Sequence, residues 1–418
     1  MGQGHRGKTQ PISWAQFIVA VWAAVLFVLL IPFNSCGGSF NNKLVEQMGN
    51  NNSTGGTNGP PTGGVDPVSG AGIASRYPGD VGIEGDAQVI FAESFDNGTL
   101  SELLNRWTDV KNESGMSLAA DSPGGSGGTR ALEMTRLGGG NTGGHVSKRL
   151  DRIGAENNDK LHLRYYIKLD TPALGQKTGG GGSYTSYLSG SHHHTGGGLS
   201  GVNHNCSWGM GRAGIRPTGG NFTPSCPSDS NSPIYDNRFS VRLEMRTEDN
   251  LDQYGFRNDR MEFYNYWMGM HHNASSPEYY GNSFVGDYGM QYKRQEWVCV
   301  EIMVKMNNPV SSRNGELKLW INGQLISHHY EGYPEGKWLH SAFLPTGSTA
   351  YEWNQANWSY SMNQIAIAPF EGFQWRDNEV LKLNVMSLAY YVTKDTQGNG
   401  RVWYDNVVLA TDYIGPVQ

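Results

Sequence analysis

The sequence predicts an all-β protein: two antiparallel sheets packed as a jelly-roll sandwich, behind an export signal and a flexible linker. Three observations carry this. Of 418 residues, 57 are glycine, aromatics reach 11% and charged residues only 17%, a mixture suited to short strands joined by turns and unsuited to a helical bundle. Strand-like runs bounded by Gly, Pro, Asn or Asp recur from residue 88 to residue 411, while helical periodicity is nearly absent. Within several runs apolar and polar residues alternate, which gives one face to a core and leaves the other open.

Residues 1–35 read as a lipoprotein-type signal peptide. Arg6 and Lys8, with no acid nearby, precede the apolar run Phe17 to Phe33, the layout of an export signal. Ser35 stands directly before Cys36, which resembles a bacterial lipobox and makes Cys36 the lipidated N-terminus. A simply cleaved signal and an uncleaved anchor are the alternatives. All three deliver the remainder outside the cytoplasm, as an outer-membrane or cell-surface lipoprotein held to the membrane through Cys36, or as a secreted protein. Residues 36–72 are almost entirely Gly, Asn, Ser, Thr and Pro and offer too little apolar surface to offset the entropy of ordering them, so a tether is expected. Residues 73–418 contain no second linker and read as one β-jelly-roll domain.

The strand signals of that domain are Gln88 to Phe95, Arg130 to Thr135, Lys160 to Leu169, Arg238 to Arg246, Arg260 to Trp267, Glu296 to Lys305, Glu316 to Ile321, Gln364 to Pro369, Lys382 to Val392 and Val402 to Thr411. One short helix fits between Phe95 and Trp107. Val298, Val300, Ile302 and Val304 alternate with Cys299, Glu301, Met303 and Lys305, which predicts a half-buried strand. Leu317, Leu319 and Ile321 then lead into Asn322-Gly323, a strong hairpin signal. The first and last strands are expected to pair, and their acids Glu93 and Asp405 are candidate ligands of a structural calcium, with plain surface acids as the alternative.

Cys206 and Cys226 share one Gly/Ser/Pro-rich segment, where an oxidising compartment favours a disulfide stapling a long loop. Cys299 reads as a buried small hydrophobe. A zinc site of Cys206, Cys226 and His204 is the weaker reading, because close CxxC spacing is missing.

The net charge of −6, from 32 basic and 38 acidic residues without a Lys/Arg-rich run, argues against nucleic acid as a partner. Abundant Trp, Tyr and Asn instead suit stacking on sugar rings. The chain is expected to act as a monomer on an acidic polysaccharide, with no cofactor required for catalysis.

The chemistry is most legible between residues 238 and 272. Period-two alternation puts Ser240, Arg242, Glu244 and Arg246 on one face of their strand and Val241, Leu243 and Met245 on the other. Arg260, Glu262, Tyr264 and Tyr266 likewise stand opposite Met261, Phe263 and Trp267. Pairing Arg246 with Arg260 sets Glu244 across from Glu262, Arg242 across from Tyr264 and Ser240 across from Tyr266; a register shifted by two avoids the facing like charges. Either collects Arg, Tyr and Ser on one wall. Such a wall suits β-elimination on a uronate polymer. A cation must neutralise the carboxylate beside the departing proton, which Arg does bidentately, and other groups must take that proton and return one to the glycosidic oxygen. Catalytic candidates are Ser240, Arg242, Tyr264 and Tyr266, with His192 and His194 as base or metal ligands. Substrate-binding candidates are Arg246, Glu244, Glu262, Tyr187 and Trp267. The competing reading is an ion-pair and hydrogen-bond lattice on a solvated sheet.

Phe239 to Arg246, Glu262-Phe263-Tyr264-Asn265-Tyr266, the strand Glu296 to Pro309 and the hairpin Asn314 to Gly323 together resemble the concanavalin A-like jelly-roll alginate and glucuronan lyases of polysaccharide lyase family fourteen, over roughly residues 160 to 326. The Ser-x-Arg and Tyr-x-Tyr pairs lie where that family keeps its active-site residues, which implies those roles for Ser240, Arg242, Tyr264 and Tyr266. Arg-Leu-Glu-Met-Arg also echoes an Arg-x-Glu-x-Arg strand of other alginate lyases. One departure stands out. The family carries a lysine in a Gly-Lys-Leu-Pro-Gly-like strand before Ser-x-Arg, whereas this chain reads Gln176-Lys177-Thr178-Gly179, and the strand-like Tyr184 to His194 is the expected occupant, offering Tyr187, His192 or His194.

Trp353, Trp358, Trp375 and Tyr360 are expected as a sugar-stacking rim or as core packing. Three functional readings follow: a surface or periplasmic polysaccharide lyase, a non-catalytic carbohydrate-binding or adhesion lipoprotein, and a structural envelope protein. Hydrolysis is the weakest enzymatic option, sustained only by Glu244 and Glu262.

Overall fold

The structure of the protein, a computed structural model, describes residues 71–137, 140, 142–170, 177–179, 183–185, 193–206, 213–219, 225–229, 232–246, 260–272, 278–285, 295–348, 365–392 and 399–418. The expectations for the signal, for Cys36 and for the linker through residue 70 lie outside these residues, as do those for His192, Tyr187, Trp353, Trp358 and Tyr360. In chain order the strands are β1 (Val89–Glu93), β2 (Asp109–Lys111), β3 (Met116–Ala119), β4 (Ala131–Arg136), β5 (Thr142–Arg149), β6 (Lys160–Leu169), β7 (Lys177–Gly179), β8 (Ser183–Thr185), β9 (His193–Val202) and β10 (Arg238–Arg246). They continue as β11 (Arg260–Tyr266), β12 (Asn282–Val285), β13 (Val298–Lys305), β14 (Glu316–Ile321), β15 (Gln324–His329), β16 (Glu335–Leu339), β17 (Ala342–Pro345), β18 (Ala368–Pro369), β19 (Val385–Val392) and β20 (Gly400–Ala410). The expected helix is α1 (Leu100–Leu104), started by a capping box in which Thr99 and Glu102 satisfy each other's backbone N–H groups.

One sheet runs β15-β14-β13-β6-β20-β4-β3, with β1 also on β20; the other runs β18-β16-β17-β12-β11-β10-β9-β19-β5-β2. Pairing between the described strands is antiparallel except for β12 with β17. Phe239, Val241 and Leu243 of β10, Leu199 of β9, and Met386 and Leu388 of β19 share a buried core with Leu163, Ile167, Val300, Ile302 and Val304 of the first sheet. Two hydrogen bonds tie the sheets across this core: Gly197 N–H donates to the Tyr165 hydroxyl at 2.9 Å, and the Tyr404 hydroxyl donates to Ala389 O at 2.7 Å. With core side chains on one face of the ten-stranded sheet, the alternate residues form a second, polar face.

The terminal strands pair as expected, with Val89 opposite Ala410 and Glu93 opposite Val407. The preceding turn adds to the seam: Ile73 N–H donates to Tyr413 O at 3.0 Å and Ala74 N–H to Ile414 O at 2.9 Å. Asn322 and Gly323 take φ of 50° and 79° and close the β14–β15 hairpin, the left-handed pair such a turn requires.

Strand β13 departs from its expected half-burial, since Cys299, Glu301 and Met303 are as buried as their neighbours. The C-terminal segment lies over that side. Ile414 and Gly415 donate their N–H groups to the two oxygens of Glu301, at 2.9 and 2.8 Å, and His162 Nδ1 sits 2.9 Å from Oε1. Trp375 belongs to the core and not to a rim: it is fully buried and stacks on Phe373 at 4.2 Å.

Candidate functional site

The register of β10 on β11 is the one that sets Arg242 opposite Tyr264, Ser240 opposite Tyr266 and Glu244 opposite Glu262. Facing carboxylates are tolerated because each has its own neighbour. Ser283 Oγ donates to Glu262 Oε1 at 3.2 Å, and Arg242 Nε lies 3.7 Å from Glu244 Oε1. Arg and Tyr then alternate along the wall. The Arg242 guanidinium is 5.1 Å from the centre of the Tyr264 ring, Tyr264 meets Tyr266 edge-on at 5.7 Å, and Arg238 lies 4.5 Å over Tyr266, so cation–π contact orders both cations. Burial pushes the Tyr264 phenol well above its ordinary range, with Tyr266 and Glu244 adding to the shift; the ring therefore stays a proton-bearing phenol at neutral pH. Arg238, fully buried, is pulled down to about 10 by the same loss of solvent.

The strand beside Ser-x-Arg is β9, which shares only residues 193 and 194 with the expected run Tyr184 to His194. It pairs with β10 so that Gly198 faces Arg242 and Ser200 faces Ser240. The run Gly196-Gly197-Gly198 is dictated by crowding: a Cβ at Gly198 would lie 2.5 Å from Val241 O, and one at Gly196, where φ is +148°, would lie 2.0 Å from Leu243 O. Beyond β9, Ser387 and Ala389 of β19 face Gly198 and Gly196, and Ser147 and His145 of β5 face Ser387 and Ala389. Glycine, serine and alanine thus make a low floor between Arg242 on one side and His145 on the other.

That floor opens into a cavity of about 350 Å³ lined by His145, Gly196, Arg242, Glu244, Ser387 and Tyr391 among others, within the range of roughly 300–1,000 Å³ typical of small-ligand sites. His145 is pushed down to about 4, first by burial and then by the nearby cations Arg242 and Lys111, with Asp109 opposing. It is a neutral imidazole at physiological pH. Sequence reasoning missed His145, Lys111 and Arg238. Arg238 continues the period-two row of Ser240 and Arg242 on β10, whereas His145 on β5 and Lys111 on β2 become meaningful only once those strands are known to reach the same sheet.

Other expected residues separate. Trp267 does not join the polar wall: it is fully buried, packs edge-on to Phe373 at 5.1 Å and donates its Nε1–H to Asn282 at 3.1 Å. Residues 194, 246 and 260 lie on strands of the ten-stranded sheet, with residue 194 opposite Tyr391 and residue 246 opposite residue 260; their side chains lie outside the described residues. Lys177 belongs to the separate two-stranded ribbon of β7 and β8. A disulfide joins Cys206 to Cys226, which removes both from any zinc site. Glu93 accepts the Phe95 N–H at 3.0 Å and lies 3.3 Å from Arg106 Nε, while Asp405 accepts the Asn406 N–H at 2.7 Å. Among the described residues no group of three or more His, Cys, Asp or Glu is arranged to hold a metal.

The chain is similar in structure to the PL-14 alginate lyase of Aplysia kurodai, at 15% identity and TM-score 0.45, covering 78% of this chain and 100% of that one. It is also similar to the alginate lyase vAL-1 from Chlorella virus, at 12%, TM-score 0.41 and the same 78% and 100%. The endo-beta-1,4-glucuronan lyase of the fungus Trichoderma reesei follows at 14% and TM-score 0.38, covering 78% of this chain and 96% of that one. No curated protein matches the sequence. Over residues 213–331, the segment that carries Ser240, Arg242, Glu244, Tyr264 and Tyr266, the chain matches the family model described as Polysaccharide lyase 14.

Proposed function

We propose that the protein is a polysaccharide lyase that cleaves a uronic-acid-containing polymer by β-elimination, outside the cytoplasm and anchored to a membrane through Cys36. The observation that carries this reading is Arg242, fixed against the Tyr264 ring at the rim of a cavity with a floor of small residues. Its guanidinium pairs with the uronate carboxylate and stabilises the enediolate that forms when the neighbouring carbon loses its proton. The phenol of Tyr264, kept protonated by burial, returns a proton to the glycosidic oxygen as its bond to carbon breaks. Ser240 and Tyr266, one step along the same wall, hold the adjoining sugar.

A second reading, carbohydrate binding without cleavage, draws on one observation. The position facing Arg242 is Gly198, so no side chain there can supply a base. Incubating the protein with alginate, glucuronan and pectate and following the ultraviolet absorbance of unsaturated uronate separates the two. Absorbance that rises with wild type, and falls at least about 100-fold in Arg242→Ala and Tyr264→Phe, supports the lyase; bound polymer with a flat trace supports the binding module.

A further inference from the structure

The lyase reading requires a base, and β9 carries only glycine beside Arg242. We propose that His145, across the glycine floor from Arg242, is the group that takes the proton from the uronate; this rests on the lyase reading above. The geometry leaves room for a sugar between the two. Strands β10 and β5 are separated by β9 and β19, so their backbones stand three strand spacings apart, roughly 14 Å. Arg242 and His145 both line the cavity of about 350 Å³ that lies over this floor. The intervening positions Gly196, Gly198, Ser387 and Ala389 hold no side chain long enough to fill it.

The charges around His145 suit that role. Lys111 and Asp109 approach from β2, Arg242 and Glu244 from β10 and Tyr391 from β19. Burial, helped by the two nearby cations, keeps the imidazole neutral before reaction, and an unprotonated nitrogen is what proton abstraction needs. In the step itself, the electrons of the C5–H bond become the new C4=C5 double bond and the C5 proton moves to an imidazole nitrogen. The C4–O bond breaks, and the departing oxygen takes the phenolic proton of Tyr264. No oxidant or reductant enters. His145 and the tyrosine then exchange protons with solvent before the next turnover.

The test uses the full chain with the polyuronide that wild type cleaves. His145→Gln keeps size and polarity without basicity. It is expected to lower the rate of unsaturated uronate formation at least about 100-fold, while polymer binding and the melting temperature stay at wild-type values. His145→Ala, which leaves an imidazole-sized space, is expected to regain part of its activity when free imidazole is added. Turnover of His145→Gln within threefold of wild type overturns the assignment and leaves the lyase reading intact. A wild type that binds polymers but produces no unsaturated uronate sinks the lyase reading itself. A His145→Ala variant that folds, binds and is indifferent to imidazole also counts against His145 as the base.

Discussion

Gly198 and Arg242 face each other across the β9–β10 pair, and any side chain at 198 would begin 2.5 Å from the carbonyl oxygen of Val241. The strand position facing the arginine therefore carries no side chain. The contact partner is main chain and cannot swing away.

Gly198→Ala is expected to push β9 from β10 and to cost about 1–3 kcal/mol of stability, the range for overpacking a close-packed site. It should also lower polymer cleavage, because the Arg242 side chain starts from the displaced backbone. Thermal melts read alongside uronate release check both. An alanine variant as stable and as active as wild type would contradict the crowding argument.

Proton abstraction by an imidazole of pKa about 4 fixes the form of the pH profile. The base works unprotonated, so cleavage should hold through neutrality and fall as the pH drops through about 4. Abstraction by a lysine or an ionised tyrosine would instead make the rate climb toward pH 10. Initial rates across that span distinguish the two.

The same placement predicts the stereochemistry of cleavage. His145 and Tyr264 stand on opposite sides of Arg242, an arrangement suited to removing a proton and a leaving oxygen from opposite faces of the sugar. Guluronate and galacturonate present them so; mannuronate and glucuronate present them on one face. Guluronate-rich alginate or pectate should be cut faster than mannuronate-rich alginate, which assays on the separated polymers would show.

Asp405 gives a prediction about stability. Burial raises its carboxyl from 3.8 to about 8, with Asp96 and Asp80 adding and the Asn406 N–H and Arg164 opposing. Between about pH 4 and 8 the folded protein holds a proton here that the unfolded chain has released, so stability falls as pH rises, by up to about 1.4 kcal/mol per unit. Asp405→Asn should flatten that slope and raise the melting temperature at pH 8. A midpoint at pH 8 that rises with calcium and falls with chelator would show instead that the carboxylate is ionised on a metal.

The Cys206–Cys226 bridge closes a loop with a sequence separation of 20. By loop-closure entropy, Cys226→Ser should lower stability by about 3 kcal/mol. The measurement is a denaturant titration under oxidising conditions. Equal midpoints for variant and wild type would show that the segment is held by other contacts.

What the sequence revealed depended on how local each signal was. The β10–β11 pairing with its shared polar wall, the Asn322-Gly323 turn, the paired terminal strands and the loop-stapling disulfide are all present in the structure; three of these involve neighbouring segments, and the fourth follows from how such sandwiches close. The far wall of the cavity was not legible. His145 becomes meaningful through the sheet order β10-β9-β19-β5, a chain of non-local pairings that no periodicity encodes. Among the aromatic residues Trp267 misled, and the sequence leaves Trp375 open between rim and core. Trp267 and Trp375 have the composition of a sugar platform, yet the space between the sheets near Phe370 and Phe373 takes them in. The outward side of β13 was misread because the segment that covers it, Ile414 and Gly415, arrives from the other end of the domain.

The seam between the two ends of the domain also sets how it answers to force. Because β1 runs antiparallel to β20 and the rungs begin at Val89 and Ala410, tension between residue 88 and residue 411 meets the ladder at one end. The rungs then open one after another, like a zipper, instead of sharing the load as they would in shear. Each step resists with little more than one exchanged hydrogen bond. Under a pull along this line β1 is the first strand to peel away, while Arg242 and His145, held in the opposite sheet, keep their places.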